Sequence, residues 1–405
     1  MIPFSPPRID QKIIDEVVDT LKSKWITTGP KTKLFEKEIS KYCGHESTLA
    51  LNSATAGLEL MLRWFGVKEG DEVIVPAYTY WATANVVIHC GAKPIFVDVN
   101  RNDFNISIDA IERAITAKTK VIIPVDFAGY PCDYDFIYAL LKHKFIAAKF
   151  NPTTKEQETL GRIMVLSDAA HSIGAIYKGR KTGCLADVTV FSFHAVKNLT
   201  TAEGGAIALN LPPSFNNESV YRELCIKSLH GQNKDALEKT KGGWKYDVIE
   251  AGYKCNMTDI AASIGLIELE RYDETLKKRK YIFEKYTDAF AKYSWALIPE
   301  YFSKDKISCY HLYALRIKGI TEQQRDLIIN RIFADNVSVN VHFIPVPMMS
   351  FYQSLGYKVE DFQVSFENYA CEISLPVYYD LSNDEIQKVI EVVSKSVEEY
   401  LNKII

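Results

Sequence analysis

Lys197 stands just past an apolar run, residues 188–193, and shortly before a glycine pair, Gly204-Gly205. Alternating β-branched and aromatic residues in that run predict a strand, and the glycines allow close backbone approach. A lysine amine held in a partly desolvated place can lose its proton and attack an aldehyde. A single lysine after a strand is most often a solvated surface charge, so it becomes a catalytic candidate only in company. The same chain supplies that company in three other stretches.

In Asn52-Ser53-Ala54-Thr55-Ala56-Gly57, small residues follow an apolar strand, 49–51, and open a helix patterned by Leu58, Met61, Leu62 and Phe65. Bare backbone N–H groups and the helix dipole favour a phosphate dianion there, and Ser53 and Thr55 add hydroxyls. An ordinary N-cap would use Ser53 without any ligand. Asp168 follows the apolar run 163–166 and precedes two alanines, which leaves its carboxylate a clear path to a protonated ring nitrogen. A turn or cap role competes for it. His171 is spaced to orient that carboxylate or to contact a ring hydroxyl. Tyr80, among Tyr78-Thr79-Tyr80-Trp81, sits at an expected strand-to-helix turn and offers a face for stacking. Ser192, five residues before Lys197, is a further phosphate donor. Amine, phosphate cradle, acidic partner and stacking surface are the four parts of a pyridoxal phosphate (PLP) site.

These parts need a scaffold. Apolar runs at 72–75, 94–97, 121–124, 163–166, 188–193 and 206–209 alternate with helical patterns, which predicts a layered α/β domain with a mainly parallel sheet. One long helical period from Thr258 to about Phe290 carries the chain onward. Beyond Cys309, strands at 310–317 and 337–342 and helices at 322–333 and 383–401 predict a smaller α/β domain. The expected division is 1–265 and 266–405. Residues 142–162 read as a polar, irregular surface insertion, and 232–244 as a mobile loop. With 405 residues, 47% hydrophobic and 24% charged, the chain is of ordinary enzyme size and composition. A net charge of −3 gives no footprint for nucleic acid or an anionic membrane. No apolar run reaches the roughly 18 residues a membrane span needs, and the first residues lack the pattern of a secretory leader. Eight cysteines and eight histidines show no paired or metal-ligand spacing, so reduced thiols, no metal and a cytoplasmic location are expected.

The order of these stretches resembles the DegT family of nucleotide-sugar aminotransferases, fold-type I PLP enzymes, through nearly the whole chain. The likeness rests on the segments from Lys24 to Pro30, Ser53 to Gly57, Pro76 to Asn85, Asp168 to His171, Ser192 to Lys197, Gly252 to Asp259, Val341 to Pro345 and Ser374 to Pro376. It implies a large three-layer domain with a mixed, mainly parallel sheet, a smaller C-terminal α/β domain, and PLP as cofactor. By the same resemblance Lys197 would bind the cofactor aldehyde and shuttle protons, Asp168 would hold the ring nitrogen, and Tyr80 would stack on the ring. Ser53, Ala54, Thr55 and Ser192 would bind phosphate, with His171 also on the cofactor. Thr28, Gly29 and His342 would meet substrate. Lys254 and Asn256 would reach the cofactor of a neighbouring subunit, which implies a homodimer with shared active sites. Lys254 stands where many relatives have asparagine and Asn256 where many have arginine. Asp126 and Pro347 replace frequent histidines at positions where substrate contacts are expected. The implied reaction moves an amino group from L-glutamate to a nucleotide-linked keto sugar. Segments 24–30 and 254–256 look most like members that aminate C4 of UDP-linked sugars, the 4-amino-arabinose and 4-amino-trideoxyhexose enzymes among them, which favours a UDP-4-keto-6-deoxy-N-acetylhexosamine acceptor and a surface polysaccharide or glycan. A C3 aminotransferase on a dTDP-3-keto-6-deoxyhexose, a deoxygenating dehydratase and a regulatory homologue are the alternatives. Dehydratases of the family carry histidine where this chain has Lys197.

Overall fold

The computed structural model describes residues 1–234 and 245–402. Most of the loop expected at 232–244 therefore lies outside the described residues. Seven strands make the central sheet: β1 Ser47–Leu51, β2 Glu72–Pro76, β3 Lys93–Val97, β4 Thr119–Ile122, β5 Met164–Asp168, β8 Val188–Ser192 and β9 Gly205–Leu209. Between β5 and β8 the chain forms a short hairpin, β6 Ile176–Tyr177 and β7 Arg180–Lys181. The spatial order is β1-β9-β8-β5-β4-β2-β3. From β8 to β3 every pairing is parallel, whereas β9 runs against both β1 and β8. Every residue of β1, β4, β5, β8 and β9 is buried. A sheet covered by helices on both faces demands such near-continuous apolar strands.

This topology decides where chemistry can occur. The C-terminal ends of β1, β2, β4, β5 and β8 meet on one edge, because β1 is antiparallel to a strand that is itself antiparallel to β8. In open α/β sheets ligands bind outside that edge. Reversed β9 brings its first residue, Gly205, opposite both Leu51 and Ser192.

A separate apolar core forms from Ile282, Phe283, Tyr286, Tyr313, Ile328, Val389 and their neighbours. Its sheet is β10 Ala296–Leu297, β12 Tyr313–Ile317 and β13 Glu372–Leu375, while β11 Lys306–Ile307 joins the β6–β7 hairpin. Ile2 packs into this second core, and Val346 and Tyr352 pack into the first.

Four sequence expectations change. Residues 337–342 form no strand; Val337 bridges to Ile2 and Asn340 to Ser374, so the backbone is shared between two partners instead of joining one ladder. The strand expected from 310 begins at Tyr313, because Tyr310 adopts a left-handed φ of 60° and the His311 N–H donates to Ala128 O. The long helix breaks at Arg271, which leaves the helical region and ties Asp10 to Glu268. Residues 142–162 contain helices Lys144–Ala147 and Lys155–Leu160 and are packed, not merely laid on the surface. Gln157 is fully buried there and donates to Phe65 O at 2.9 Å.

Candidate active site

Lys197, Asp168, His171, Ser53, Ala54, Thr55, Tyr80, Ser192 and His342 all line one cavity of about 440 Å³ at the strand-end edge. Lys197 sits in the turn after β8, where its N–H donates to His194 O. The next residue, buried Asn198, pins that turn. Its amide donates to Cys309 O at 2.7 Å, and its oxygen lies 2.8 Å from His311 Nδ1. Burial lowers the Lys197 pKa to about 8, against the opposing pull of Asp168. The amine is thus far easier to deprotonate than a surface lysine.

Asp168 ends β5 and is 6% exposed. Thr83 Oγ1 donates to one carboxylate oxygen at 2.8 Å, and the Ala170 N–H donates to the other at 3.2 Å. Thr79 lies 3.0 Å from Thr83, so the two hydroxyls form a short chain that aims the carboxylate. Burial raises the Asp168 pKa, while Thr83, Ala170 and Lys197 pull it down. A cationic ring nitrogen at this carboxylate would satisfy what burial otherwise penalises. His171 Nδ1 accepts the Ala128 N–H at 3.3 Å. Burial, Lys197 and His342 hold its pKa well below the usual value, so the ring is neutral and its Nε2 carries the proton.

Ser53 is the N-cap of helix Ala54–Trp64 and accepts the Ala56 N–H at 3.1 Å. The cap leaves room for an anion, because the N–H groups of Ala54 and Thr55 have no acceptor among the described residues. Gly205 makes this possible. A Cβ on it would stand 2.4 Å from Ala54 N and 2.5 Å from Ser53 C, so any larger residue would displace the loop. Tyr80 is 45% exposed and packs on Trp81 with ring centroids 4.0 Å apart. An amine, a bare helix N-terminus, a buried carboxylate and an exposed aromatic face on one cavity fit PLP. When bound, that group supplies the aldehyde and an electron-accepting ring.

The chain belongs to the DegT/DnrJ/EryC1/StrS aminotransferase family. Its family model matches residues 7–151 and 152–394. Spr1654 of Streptococcus pneumoniae, to which sugar aminotransfer has been assigned, superposes with a TM-score of 0.95 in its PMP form. It is 44% identical, covering 99% of this chain and 98% of that one. The spore coat polysaccharide biosynthesis protein SpsC of Bacillus subtilis is 37% identical over 97% of this chain and 96% of its own length. The UDP-4-amino-4-deoxy-L-arabinose–oxoglutarate aminotransferase of Shewanella sediminis is 34% identical, with 98% of each chain covered. This DegT-family chain is accordingly a PLP-dependent aminotransferase of the α/β fold-type I class.

Not every expected site residue reaches the cavity of its own chain. Lys254, Asn256, Thr28 and Gly29 form a separate cluster. Lys254 Nζ donates to Asn256 Oδ1 at 2.6 Å, Asn256 Nδ2 to Thr28 Oγ1 at 2.5 Å, and Thr28 Oγ1 to Met257 O at 2.5 Å. The Gly29 N–H donates to Asp259 Oδ1 at 2.8 Å, and that carboxylate also receives Lys31 and Thr32. Asp259 thereby caps helix Pro30–Cys43, a structural task within a segment that resembles a cofactor-reaching one. Asp126 and Pro347, placed by resemblance near substrate, are both buried and line no part of the cavity. Cys132, Tyr134 and Ser172 occupy the Asp126 carboxylate instead.

Sequence reasoning missed Thr83, Asn198, Glu203, His311 and Phe343. The Thr79–Thr83 pair was visible as two hydroxyls at helical spacing. Phe343 lay inside the segment 341–345 that carried the resemblance but was given no role, and His311 carried no signal, since only the tertiary fold brings it onto the cavity.

Proposed function

We propose that this aminotransferase takes the amino group of L-glutamate and delivers it to C4 of a UDP-4-keto-6-deoxy-N-acetylhexosamine, feeding a surface polysaccharide or glycan. The observation that carries amino transfer is Lys197, readily deprotonated, on the same cavity as the Thr83-aimed Asp168 and the bare N–H groups of Ala54 and Thr55. The amino acid and the sugar enter this cavity in turn. Lys197 holds and moves the proton between reacting carbons, Asp168 keeps a ring nitrogen cationic, and Tyr80 covers the ring face. The helix N-terminus, Ser53, Thr55 and Ser192 anchor the phosphate. The resemblance to the Shewanella enzyme, which acts on a 4-amino sugar linked to UDP, and to SpsC supports the choice of C4 and of polysaccharide.

Loaded protein mixed with L-glutamate alone should lose its visible absorbance band and release 2-oxoglutarate. An unchanged band would overturn L-glutamate as donor. The keto sugar should then restore the band, and an amine found at C3 of the product would favour the dTDP-3-keto-sugar alternative.

We further read the enzyme as a homodimer with shared sites. Apart from Lys197, no lysine or arginine among the described residues lines the cavity. Carboxylates and a diphosphate need cations, and Lys254 stands exposed outside its own cavity, available to a second copy. Dilution that leaves an active monomer would overturn this. The two apolar cores support treating 1–265 as the cofactor domain and 266–405 as the smaller one. Cysteines scattered along the sequence without paired spacing support a reducing, cytoplasmic location. Among the described residues no helix is long and apolar enough to cross a membrane.

A further inference from the structure

His342 reaches the cavity from the side of the second core, and its ring and backbone are both held. Phe4 stacks on it with centroids 5.5 Å apart and planes 25° from parallel. Its backbone N–H donates to Glu372 Oε2 at 2.9 Å. Its Nδ1 lies 2.9 Å from Ser374 Oγ, which in turn lies 2.5 Å from Glu372 Oε1. Glu372 and Ser374 are fully buried on β13. Nε2 of His342 has no hydrogen-bond partner among the described residues.

A serine hydroxyl has one proton and passes it one way at a time. With Glu372 ionised, Ser374 donates to it, His342 must carry its proton on Nδ1, and Nε2 is a bare acceptor. With a proton on Glu372 Oε1, the chain of donation reverses, Ser374 donates to Nδ1, and Nε2 carries the proton. The imidazole is neutral in both states.

We propose that Glu372 and Ser374 are positioning residues whose relay sets whether Nε2 of His342 donates or accepts a hydrogen bond in the cavity. One imidazole can then serve a carboxylate of the amino donor as N–H and a hydroxyl of the sugar as lone pair. The inference rests on the reading of the cavity as a site for both substrates.

The surroundings make both states accessible. Burial pushes the Glu372 carboxyl up to about 8, against Ser374, the His342 N–H and the guanidinium groups of Arg325 and Arg316. The Tyr78 phenol and the Cys371 thiol also face it. His342 is pushed down to about 3 by burial and Lys197, with His171 and His311 as its other titratable neighbours. The ring therefore stays neutral while Glu372 titrates near neutrality.

The test is nitrogen NMR of the full chain labelled with ¹⁵N-histidine, with the His342 signals identified by their loss in His342→Gln. The protonated nitrogen should change from Nε2 to Nδ1 as the pH rises from about 6 to about 9, and Ser374→Ala should abolish the change. A single tautomer across that range in the unaltered protein overturns the relay. In Ser374→Ala, KM should rise about tenfold for L-glutamate near neutral pH and for UDP-4-keto-6-deoxy-N-acetylglucosamine at the alkaline end. There kcat should hold, and Ser374→Thr should restore KM. Equal loss of kcat in both half-reactions would show a merely structural role and overturn the proposal. The spectra need no substrate, so a wrong donor or sugar leaves the tautomer result standing.

Discussion

Two aspartates at the ends of neighbouring parallel strands have opposite fates. Asp126 follows β4 and Asp168 ends β5, and the Asp126 N–H donates to Asp168 O. Asp126 is fully buried and takes hydrogen bonds from Cys132 N, Tyr134 OH and Ser172 Oγ at 2.7 to 2.8 Å. Asp168 receives one hydroxyl and one longer backbone contact and faces the cavity. Burial raises the pKa of both. The difference lies in unused acceptor capacity. A carboxylate mostly occupied by its own chain and sealed from the cavity holds a fold together, and one with capacity left over that faces the cavity can hold a ligand.

Lys197→Ala gives the largest effect and anchors the comparison. Turnover should fall by about 10⁴-fold, while the protein stays folded and still binds pyridoxamine phosphate, as read by circular dichroism and dialysis. A variant that turns over normally would remove the cavity from the chemistry altogether. Asp168→Ala should lower turnover on the order of 10³-fold with little change in unfolding midpoint. Asp126→Ala should do the reverse. The Cys132 N–H and the Ser172 hydroxyl would lose their acceptor while Tyr134 would keep Ser167, which should cost about 3 kcal/mol of stability by urea unfolding, with activity per folded molecule retained. If both variants lost activity and stability alike, the distinction between filled and unfilled carboxylates would fail. Thr83→Val sharpens it further, since it removes the donor that aims Asp168. About a tenfold loss of rate and a shifted absorbance band are expected, without unfolding.

The smallest effect concerns pH. In the cofactor-free chain Lys197 has a folded pKa lowered to about 8, below that of an unfolded lysine. The unfolded state therefore binds more protons between the two values, and stability should rise with pH from about 8 into the ordinary lysine range. Lys197→Met should flatten that slope in thermal melts recorded across the same window. A wild-type slope of opposite sign would contradict the desolvated placement of the amine.

The contrast between cavity and rim shows why some of this was legible in the sequence. Lys197, Ser53 and Tyr80 each follow a strand and Asp168 ends one, so local pattern alone puts them near one edge of a parallel sheet. Helix Asn383–Leu401 was readable to the residue, since a capping box at Ser382 and Glu385 marks its start. The rim could not be read this way. Lys254 and Asn256 lie beside Thr28, more than two hundred residues away in sequence, and no local pattern records such a meeting.

By itself, the sequence determined the reactive amine, the alternation of strands and helices in the large domain, and the small residues that leave a helix N-terminus bare. These are local properties, written in hydrophobic period, caps and glycine. Only the tertiary structure decided that β9 runs backwards to set Gly205 against Ser53, and that Asp126 is filled while Asp168 is not. It alone placed Glu372 and Ser374 behind His342. Hydrogen-bond capacity is consumed by whichever donors the fold brings near, and a chain read one residue at a time does not record which those will be.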